Sequence, residues 1–198
     1  MSPYASDIDN RNRVYVGLWV ISAIIAFILS YYIDAMIADS EIIIQFFVFL
    51  ASLSPMAVCI LFIDYLPQRL LLRLSGIANV SGHYEGVLKT SHDDFQEEHP
   101  VKIVITQTMK SIDVSMSTHD SESFNTSAFI GVLDGKIALT YTYRNLGAVE
   151  KFLTQHDGTC TLIFHDSSIS GEYYTTHDRK NYGAITLSSV KPVNQTPL

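Results

Sequence analysis

Residues 101–109 read Val-Lys-Ile-Val-Ile-Thr-Gln-Thr-Met, and this stretch decides the fold class. Its apolar residues Val101, Ile103 and Ile105 recur at every second position, with a lysine and threonines among the residues between them. Such alternation is typical of a strand in an antiparallel sheet with one buried face. Gln107 continues the apolar face, so its amide is expected in the interior.

The same period of two extends over the rest of the C-terminal part. Seven more segments show it: 82–90, 112–116, 123–133, 136–144, 159–165, 169–176 and 183–189. Asp134-Gly135 is a typical two-residue hairpin turn. The sequence therefore predicts a compact antiparallel eight-stranded β-barrel over residues 81–190, followed by a tail at 191–198, with a two-sheet sandwich as the alternative.

The first 80 residues have a different composition. They hold 4 of the 13 basic and 6 of the 20 acidic residues of this 198-residue chain. Residues 14–33 and 42–63 are stretches of 20 and 22 residues without a charged side chain. Each is long enough to cross a bilayer as a helix. We expect a two-helix transmembrane hairpin at 14–63, which would make the protein membrane-anchored and otherwise all-β.

The charges around the predicted spans indicate their orientation. Residues 34–41 carry three carboxylates and no basic residue, whereas all four basic residues flank the hairpin. These are Arg11, Arg13, Arg69 and Arg73. The positive-inside rule places both termini in the cytoplasm. Residues 1–13 are then a cytoplasmic tail, and 64–80 are a juxtamembrane linker with a short helix near 67–74.

Small and polar residues within the spans could serve helix packing. Ser22, Ala26 and Ser30 recur every fourth residue and line one helix face, and Gln45 lies in the second span. Small faces allow close helix approach, and an amide can hydrogen-bond across helices. Packing between the two spans and self-association are both compatible with this pattern.

No catalytic or metal-binding motif is evident. The sequence lacks HExxH, GxSxG, P-loop and dinucleotide-binding glycine patterns, and its seven histidines match no metal-site spacing. The net charge of −7 argues against a polybasic nucleic-acid surface. We therefore expect a protein that is not an enzyme, needs no cofactor or metal, and binds neither DNA nor RNA.

A binding function has better candidates. On the period-two count, Tyr84, Tyr141, Tyr143 and Tyr173 point inward together with Gln107. A buried amide must be hydrogen-bonded, and aromatic faces can stack on a nucleobase. The interior is therefore either a polar, aromatic ligand-binding lumen with Gln107 held for the ligand, or a packed aromatic core.

The order of the motifs resembles a known family. After two spans come 81–86 (SGHYEG), the strand ending at Gln107, 141–145 (YTYRN), 156–158 (HDG) and 169–175 (ISGEYYT). This order is similar to that of the two-transmembrane, β-strand-rich effectors associated with SMODS nucleotidyltransferases in bacterial CBASS anti-phage operons.

The resemblance implies a mechanism. The barrel would bind a cyclic dinucleotide made by a partner nucleotidyltransferase, and the protein would then self-associate and disrupt the bacterial inner membrane, causing cell death. By motif position, the ligand contacts would be Tyr84, Gln107, Tyr141, Tyr143, Arg144 and Tyr173, with Arg144 as a phosphate partner or in a surface salt bridge. The alternative is a membrane-tethered, lipocalin-like barrel that binds a lipid-like molecule.

Overall fold

The structure is a computed structural model that describes residues 2–7, 10–36, 66–119, 121–146, 155–176 and 180–190. The chain divides into two units. One comprises Asn10–Ser75 and is helical in its described part. The other combines Met1–Asp9 with Gly76–Leu198 and is built of strands.

The helical unit contains α1, Arg11–Met36, and α2, Gln68–Ser75, within its described residues. α1 includes the predicted first span and exposes large apolar side chains along its length. It is the one described helix that is long and apolar enough to cross a membrane. The predicted second span, 42–63, lies outside the described residues, so the two-span hairpin stays a prediction.

α2 corresponds to the short helix predicted near 67–74. The backbone N–H groups of Leu70 and Leu71 donate to the Pro67 carbonyl at 2.9 and 3.2 Å, which forms the first turn. Proline suits this position because its missing N–H has no partner there in any case. Leu71 and Leu72 are buried, so α2 is amphipathic.

The second unit contains nine described strands. They are β1 Ser2–Ser6, β2 Gly82–Thr90, β3 His99–Gln107, β4 Ser111–Ser117, β5 Glu122–Leu133, β6 Lys136–Asn145, β7 His156–Phe164, β8 Ile169–Thr175 and β9 Tyr182–Ser189. They close into a barrel in the order β1-β4-β3-β2-β9-β8-β7-β6-β5. β2 to β9 match the eight predicted strands to within three residues at each end. The all-β class is confirmed, and the predicted number of strands is wrong by one.

The additional strand is β1, so the prediction that residues 1–13 form a tail is wrong for Ser2–Ser6. β1 runs antiparallel to β4 and parallel to β5. The other described strand pairs are all antiparallel. A five-residue strand that includes a proline and two serines has too little alternation to be detected from its own sequence.

The alternating residues fill the barrel as predicted. Every strand contributes at least one buried apolar side chain, among them Tyr4, Tyr84, Ile103, Ile112, Ile130, Leu139, Leu162, Ile169 and Ile185. The predicted turn between β5 and β6 is also confirmed. Asp134 and Gly135 have φ of +50° and +74°, the left-handed conformation that this hairpin turn requires.

Candidate functional site

The structure places the five predicted inward-facing side chains inside the barrel. Tyr84, Gln107, Tyr141, Tyr143 and Tyr173 are each no more than 8% exposed. The alternation along each strand therefore predicted correctly that these side chains point into the barrel. Whether these side chains meet a ligand depends on their hydrogen bonds and on the space around them.

Gln107 is hydrogen-bonded to the protein through both ends of its amide. Its Oε1 accepts from the backbone N–H of Val80 at 2.8 Å. Its Nε2 donates to the Ala78 carbonyl at 3.0 Å and to the Tyr4 hydroxyl at 3.1 Å. Gln107 thus joins β3 to β1 and to the segment before β2. These contacts give the amide a structural role, and the ligand contact expected from the sequence stays a prediction.

Two buried tyrosines differ in the environment of their hydroxyl groups. Tyr84 donates to the Val80 carbonyl at 2.9 Å, and burial raises the pKa of Tyr84 to about 12. Tyr141 has no hydrogen-bond partner for its hydroxyl among the described residues and stands opposite Cys160 on β7. Burial raises the pKa of Tyr141 well above its usual value and that of the Cys160 thiol to about 12. Both groups are therefore neutral at pH 7.

Most of the other buried apolar side chains of the strands are aliphatic. Ile103, Ile112, Leu139 and Leu162 have an exposed fraction of 0%. Protein interiors packed in this way contain few voids larger than a water molecule. Among the described residues, a dinucleotide or a lipid chain at these positions would have to displace core side chains. The structure therefore favours the packed-core interpretation, and a ligand surface on the outside of the barrel.

A row of hydroxyl groups crosses four neighbouring strands on that outer face. The strand register places Ser127 opposite Thr142, Thr142 opposite Thr159, and Thr159 opposite Tyr174. The Thr142 Oγ1 lies 2.7 Å from the Ser127 Oγ and 2.7 Å from the Thr126 Oγ1. Thr126 joins the row because the β5–β6 register shifts between Asn125 and Ser127, which turns two consecutive side chains outward.

An open cleft of about 540 Å³ lies along this row. It is lined by Thr126, Thr142, Tyr143, Asp157, Gly158, Thr159, Tyr174, Thr175 and Thr176. The volume falls within the range of roughly 300–1,000 Å³ that is usual for small-molecule sites. The threonine hydroxyls can bond phosphate or sugar oxygens, and Tyr174, which is 60% exposed, offers a face for stacking.

Arg144 and Asp157 form an ion pair beside this cleft. The Arg144 Nε and Nη2 donate to the two carboxylate oxygens of Asp157 at 2.9 and 3.1 Å. These hydrogen bonds raise the pKa of Arg144 and lower that of Asp157. Because the Asp157 pKa is lowered, the pair is intact above the usual pKa of an aspartate and is lost only as the pH falls through the folded value.

Tyr143 is the predicted residue that reaches both the core and the cleft. It is only 2% exposed, yet it lines the cleft next to Gly158. A Cβ at Gly158 would collide with the ring and hydroxyl of Tyr143, so only glycine allows this close approach. The other predicted contacts do not line the cleft: Tyr84, Gln107, Tyr141, Tyr173 and Arg144, whose ion-pair partner Asp157 does.

The acidic loop after β2 brings together three groups that could bind a metal. Ligand atoms of Asp93, Glu97 and His99 lie within 4.8 Å of one another. The His99 Nε2 is 2.7 Å from the Asp93 Oδ2, and this hydrogen bond lowers the pKa of Asp93. The cluster lies in a solvent-exposed loop and is explained by that hydrogen bond, so no metal site is assigned to it.

The predicted membrane contacts are described only in part. Ser22 donates its hydroxyl to the Leu18 carbonyl at 2.8 Å within α1, and Ala26 is half-buried. The side chain of Ser30 and the whole of Gln45 lie outside the described residues. The small-residue face therefore stays a prediction.

Sequence reasoning missed most of the cleft. Its threonines stand at outward positions, whereas the inward-facing tyrosines between them predicted a site in the interior. The outward pattern was detectable in Thr140 and Thr142 on one strand and Thr159 and Thr161 on the next. Only the strand register, however, shows that Thr142 and Thr159 are neighbours.

Comparison with known proteins identifies the family. Residues 75–189 match the family described as Cap15, cyclic dinucleotide receptor domain, which covers more than half of the chain and all of the residues that line the cleft. The comparison with curated proteins gave no match. The family is a receptor domain and not a known enzyme family. The chain therefore belongs to the Cap15 cyclic dinucleotide receptor family, an effector domain of CBASS anti-phage systems.

Proposed function

We propose that this protein is a membrane-anchored CBASS effector that binds a cyclic dinucleotide in the outer cleft, self-associates and disrupts the bacterial inner membrane. The observation that carries the proposal is the family match over residues 75–189, which contains the whole cleft. The cyclic dinucleotide would come from a partner nucleotidyltransferase.

The chemistry of the cleft suits this ligand. A cyclic dinucleotide presents two phosphates, two sugars and two bases. Thr142 and Thr159 can hydrogen-bond a phosphate, and Arg144 can form a bidentate contact once Asp157 releases it. Tyr174 can stack on a base.

A lipid-binding function is less favoured. A lipocalin-like carrier needs an apolar lumen, whereas the described interior is filled by side chains such as Leu139 and Leu162. The outer cleft is rich in hydroxyl groups, which suits a polar ligand better than an acyl chain.

The membrane step would act through α1 and the predicted second span. A receptor that acts by changing its state transmits a signal only if the ligand binds one state more tightly than another. The active state in this proposal is an assembly in which first spans pack through Ser22 and Ala26. The basic, amphipathic α2, with Arg69, Arg73 and Leu70 exposed, would lie at the lipid surface.

Membrane potential in intact cells tests this step. Cells that produce the full-length protein and the dinucleotide should depolarise, and Ala26→Leu should prevent depolarisation while the purified full-length protein still binds the dinucleotide. Gly17→Leu, on the opposite face of the same helix where an added side chain meets open space, is the matched control. Depolarisation by Ala26→Leu equal to wild type would contradict the role of this face.

A further inference from the structure

β1 occupies a gap where β4 and β5 separate. β1 pairs with β4 at Ser2–Ile112 and with β5 from Tyr4–Ala128 to Ser6–Ile130. Further along, β4 and β5 pair directly, from Ser115–Phe124 to Ser117–Glu122. The two strands therefore form a fork, and β1 fills its open end. We call this open end the strand slot.

Asn125 holds the fork at the point where the strands separate. Its side-chain Oδ1 accepts from the backbone N–H of Val114 at 2.9 Å, and its Nδ2 donates to the Ile112 carbonyl at 3.2 Å. The buried side chain thus takes the place of a neighbouring strand for these β4 groups. Its own backbone carbonyl accepts from the Ser2 hydroxyl at 3.4 Å, so the fork and β1 meet at this residue.

The slot is fitted to the N-terminal segment of this chain. Tyr4 is buried, and its hydroxyl donates to the Thr108 carbonyl at 3.0 Å. The Asp7 carboxylate accepts from the Val132 N–H at 3.0 Å, and the Asp7 N–H donates to the Ile130 carbonyl at 3.1 Å. These side-chain contacts add specificity to the backbone pairing, so the best occupant is this segment, from the same copy or from another.

The strand slot lies next to the ligand cleft along β5. Thr126, which the shifted register turns outward, lines the cleft. The residue before it, Asn125, holds the fork. A ligand that moves the backbone at Thr126 therefore also changes the position of Asn125 and the fit of β1.

We propose that ligand binding releases β1 from its own slot and that β1 of a second copy of this chain enters it, so that strand exchange links the copies. The inference rests on the proposed self-association. Release breaks the short backbone pairing of β1 and the contacts of Tyr4 and Asp7, and the same contacts form again when β1 enters the slot of the second copy. The direct β4–β5 pairing keeps the barrel closed meanwhile.

The connection of β1 to α1 favours a partner of the same kind. Exchange of an identical element is a low-cost route from monomers to oligomers, because the same contacts form again between copies. α1 follows β1 after a short connection, and copies anchored in one membrane hold their N-terminal segments at a high effective concentration for each other.

Cross-linking between two differently tagged full-length copies tests the exchange. One copy carries Ala5→Cys and the other carries Phe129→Cys, because these residues are register partners and both point outward. On mild oxidation of membranes, a disulfide between the two tagged copies should form in the presence of the dinucleotide. Without the dinucleotide, the amount of this cross-link should stay at background. A single copy with both substitutions should cross-link internally in the absence of ligand, which checks the geometry.

Matched controls and outcomes keep the test decisive. Ala5→Cys paired with Ser170→Cys on β8 should give only the background that the native cysteines produce. One outcome separates the two proposals: the dinucleotide raises the oligomeric state on native gels, the double-substituted copy still cross-links internally, and the two tagged copies do not cross-link to each other. Strand exchange is then wrong and the proposed self-association stands. If the dinucleotide binds without any change in oligomeric state, the self-association itself is wrong. A disulfide from Phe129→Cys to a different cellular protein would also overturn the assignment of the partner.

Discussion

Arg144 and Asp157 stand directly opposite each other on β6 and β7, and two hydrogen bonds of 2.9 and 3.1 Å join the guanidinium to both carboxylate oxygens. Asp157 also lines the cleft. The guanidinium is thus already held in the bidentate geometry with which it would bind a phosphate. Asp157 competes with any phosphate for the Arg144 guanidinium. Substituting each of the two residues in turn therefore tests whether the guanidinium binds the ligand.

Arg144→Ala should weaken dinucleotide binding by about tenfold or more, since a hydrogen bond to a charged group contributes about 1.5–3 kcal/mol. Asp157→Asn should strengthen binding or leave it unchanged, because it removes a competing charge. Calorimetric titration of the full-length protein in lipid nanodiscs measures both changes. The control is Lys102→Ala, which removes a surface ion pair with Glu85 on other strands. If Arg144→Ala bound the dinucleotide as tightly as wild type, Arg144 would not be a ligand contact.

Gln107→Leu should destabilise the barrel. The variant leaves the buried N–H of Val80 and the Ala78 carbonyl without their present partners, and each such loss costs about 1–3 kcal/mol. Thermal or chemical unfolding of the full-length protein measures the change. Gln96→Leu, an exposed glutamine on the loop after β2, should change stability by no more than about 0.5 kcal/mol. If Gln107→Leu were as stable as wild type and bound no dinucleotide, the amide would serve the ligand after all.

Tyr84→Phe and Tyr141→Phe form a matched pair inside the barrel. Tyr84→Phe deprives the Val80 carbonyl of its donor and should lower the free energy of unfolding by about 1 kcal/mol. Tyr141→Phe removes a buried hydroxyl that has no partner among the described residues, so stability should stay the same or rise. If Tyr141→Phe lowered the free energy of unfolding and Tyr84→Phe did not, the Tyr141 hydroxyl would be the one that is hydrogen-bonded.

A phosphatase fused after Leu198 tests the membrane topology. The basic residues at both flanks of the predicted hairpin predict that the barrel and the C-terminus lie in the cytoplasm. The fusion should therefore have no periplasmic phosphatase activity, although immunoblots show that it is made. Strong periplasmic activity would reverse the orientation and separate the barrel from a cytoplasmic nucleotide signal.

The strands of the barrel could be predicted because one face of each is buried. A period of two over seven or more residues is hard to produce by chance, so β2 to β9 were found with nearly correct ends. β1 could not be found in this way, since its five residues include one buried apolar side chain, Tyr4. It is a strand because β4 and β5 separate and leave backbone groups that need partners.

The candidate site was predicted less well for a related reason. Period two shows which residues point inward, and the tyrosines and Gln107 do so. It does not show which groups are already hydrogen-bonded, and the partners of Gln107 come from distant parts of the chain. Nor does it give the register that brings Thr142 and Thr159 together from neighbouring strands.

The most direct test of the central claim is dinucleotide binding by a variant that alters only the outer cleft. The double variant Thr142→Val with Thr159→Val removes two hydroxyls from the cleft, and Thr106→Val with Thr186→Val removes two from outward positions on β3 and β9. A panel of cyclic dinucleotides titrated into the full-length protein in nanodiscs should contain one that binds the wild type. Its affinity should fall by about tenfold in the cleft variant, as expected for two lost hydrogen bonds. The control variant should bind like wild type, and equal affinity of the two double variants would contradict a ligand site in the outer cleft.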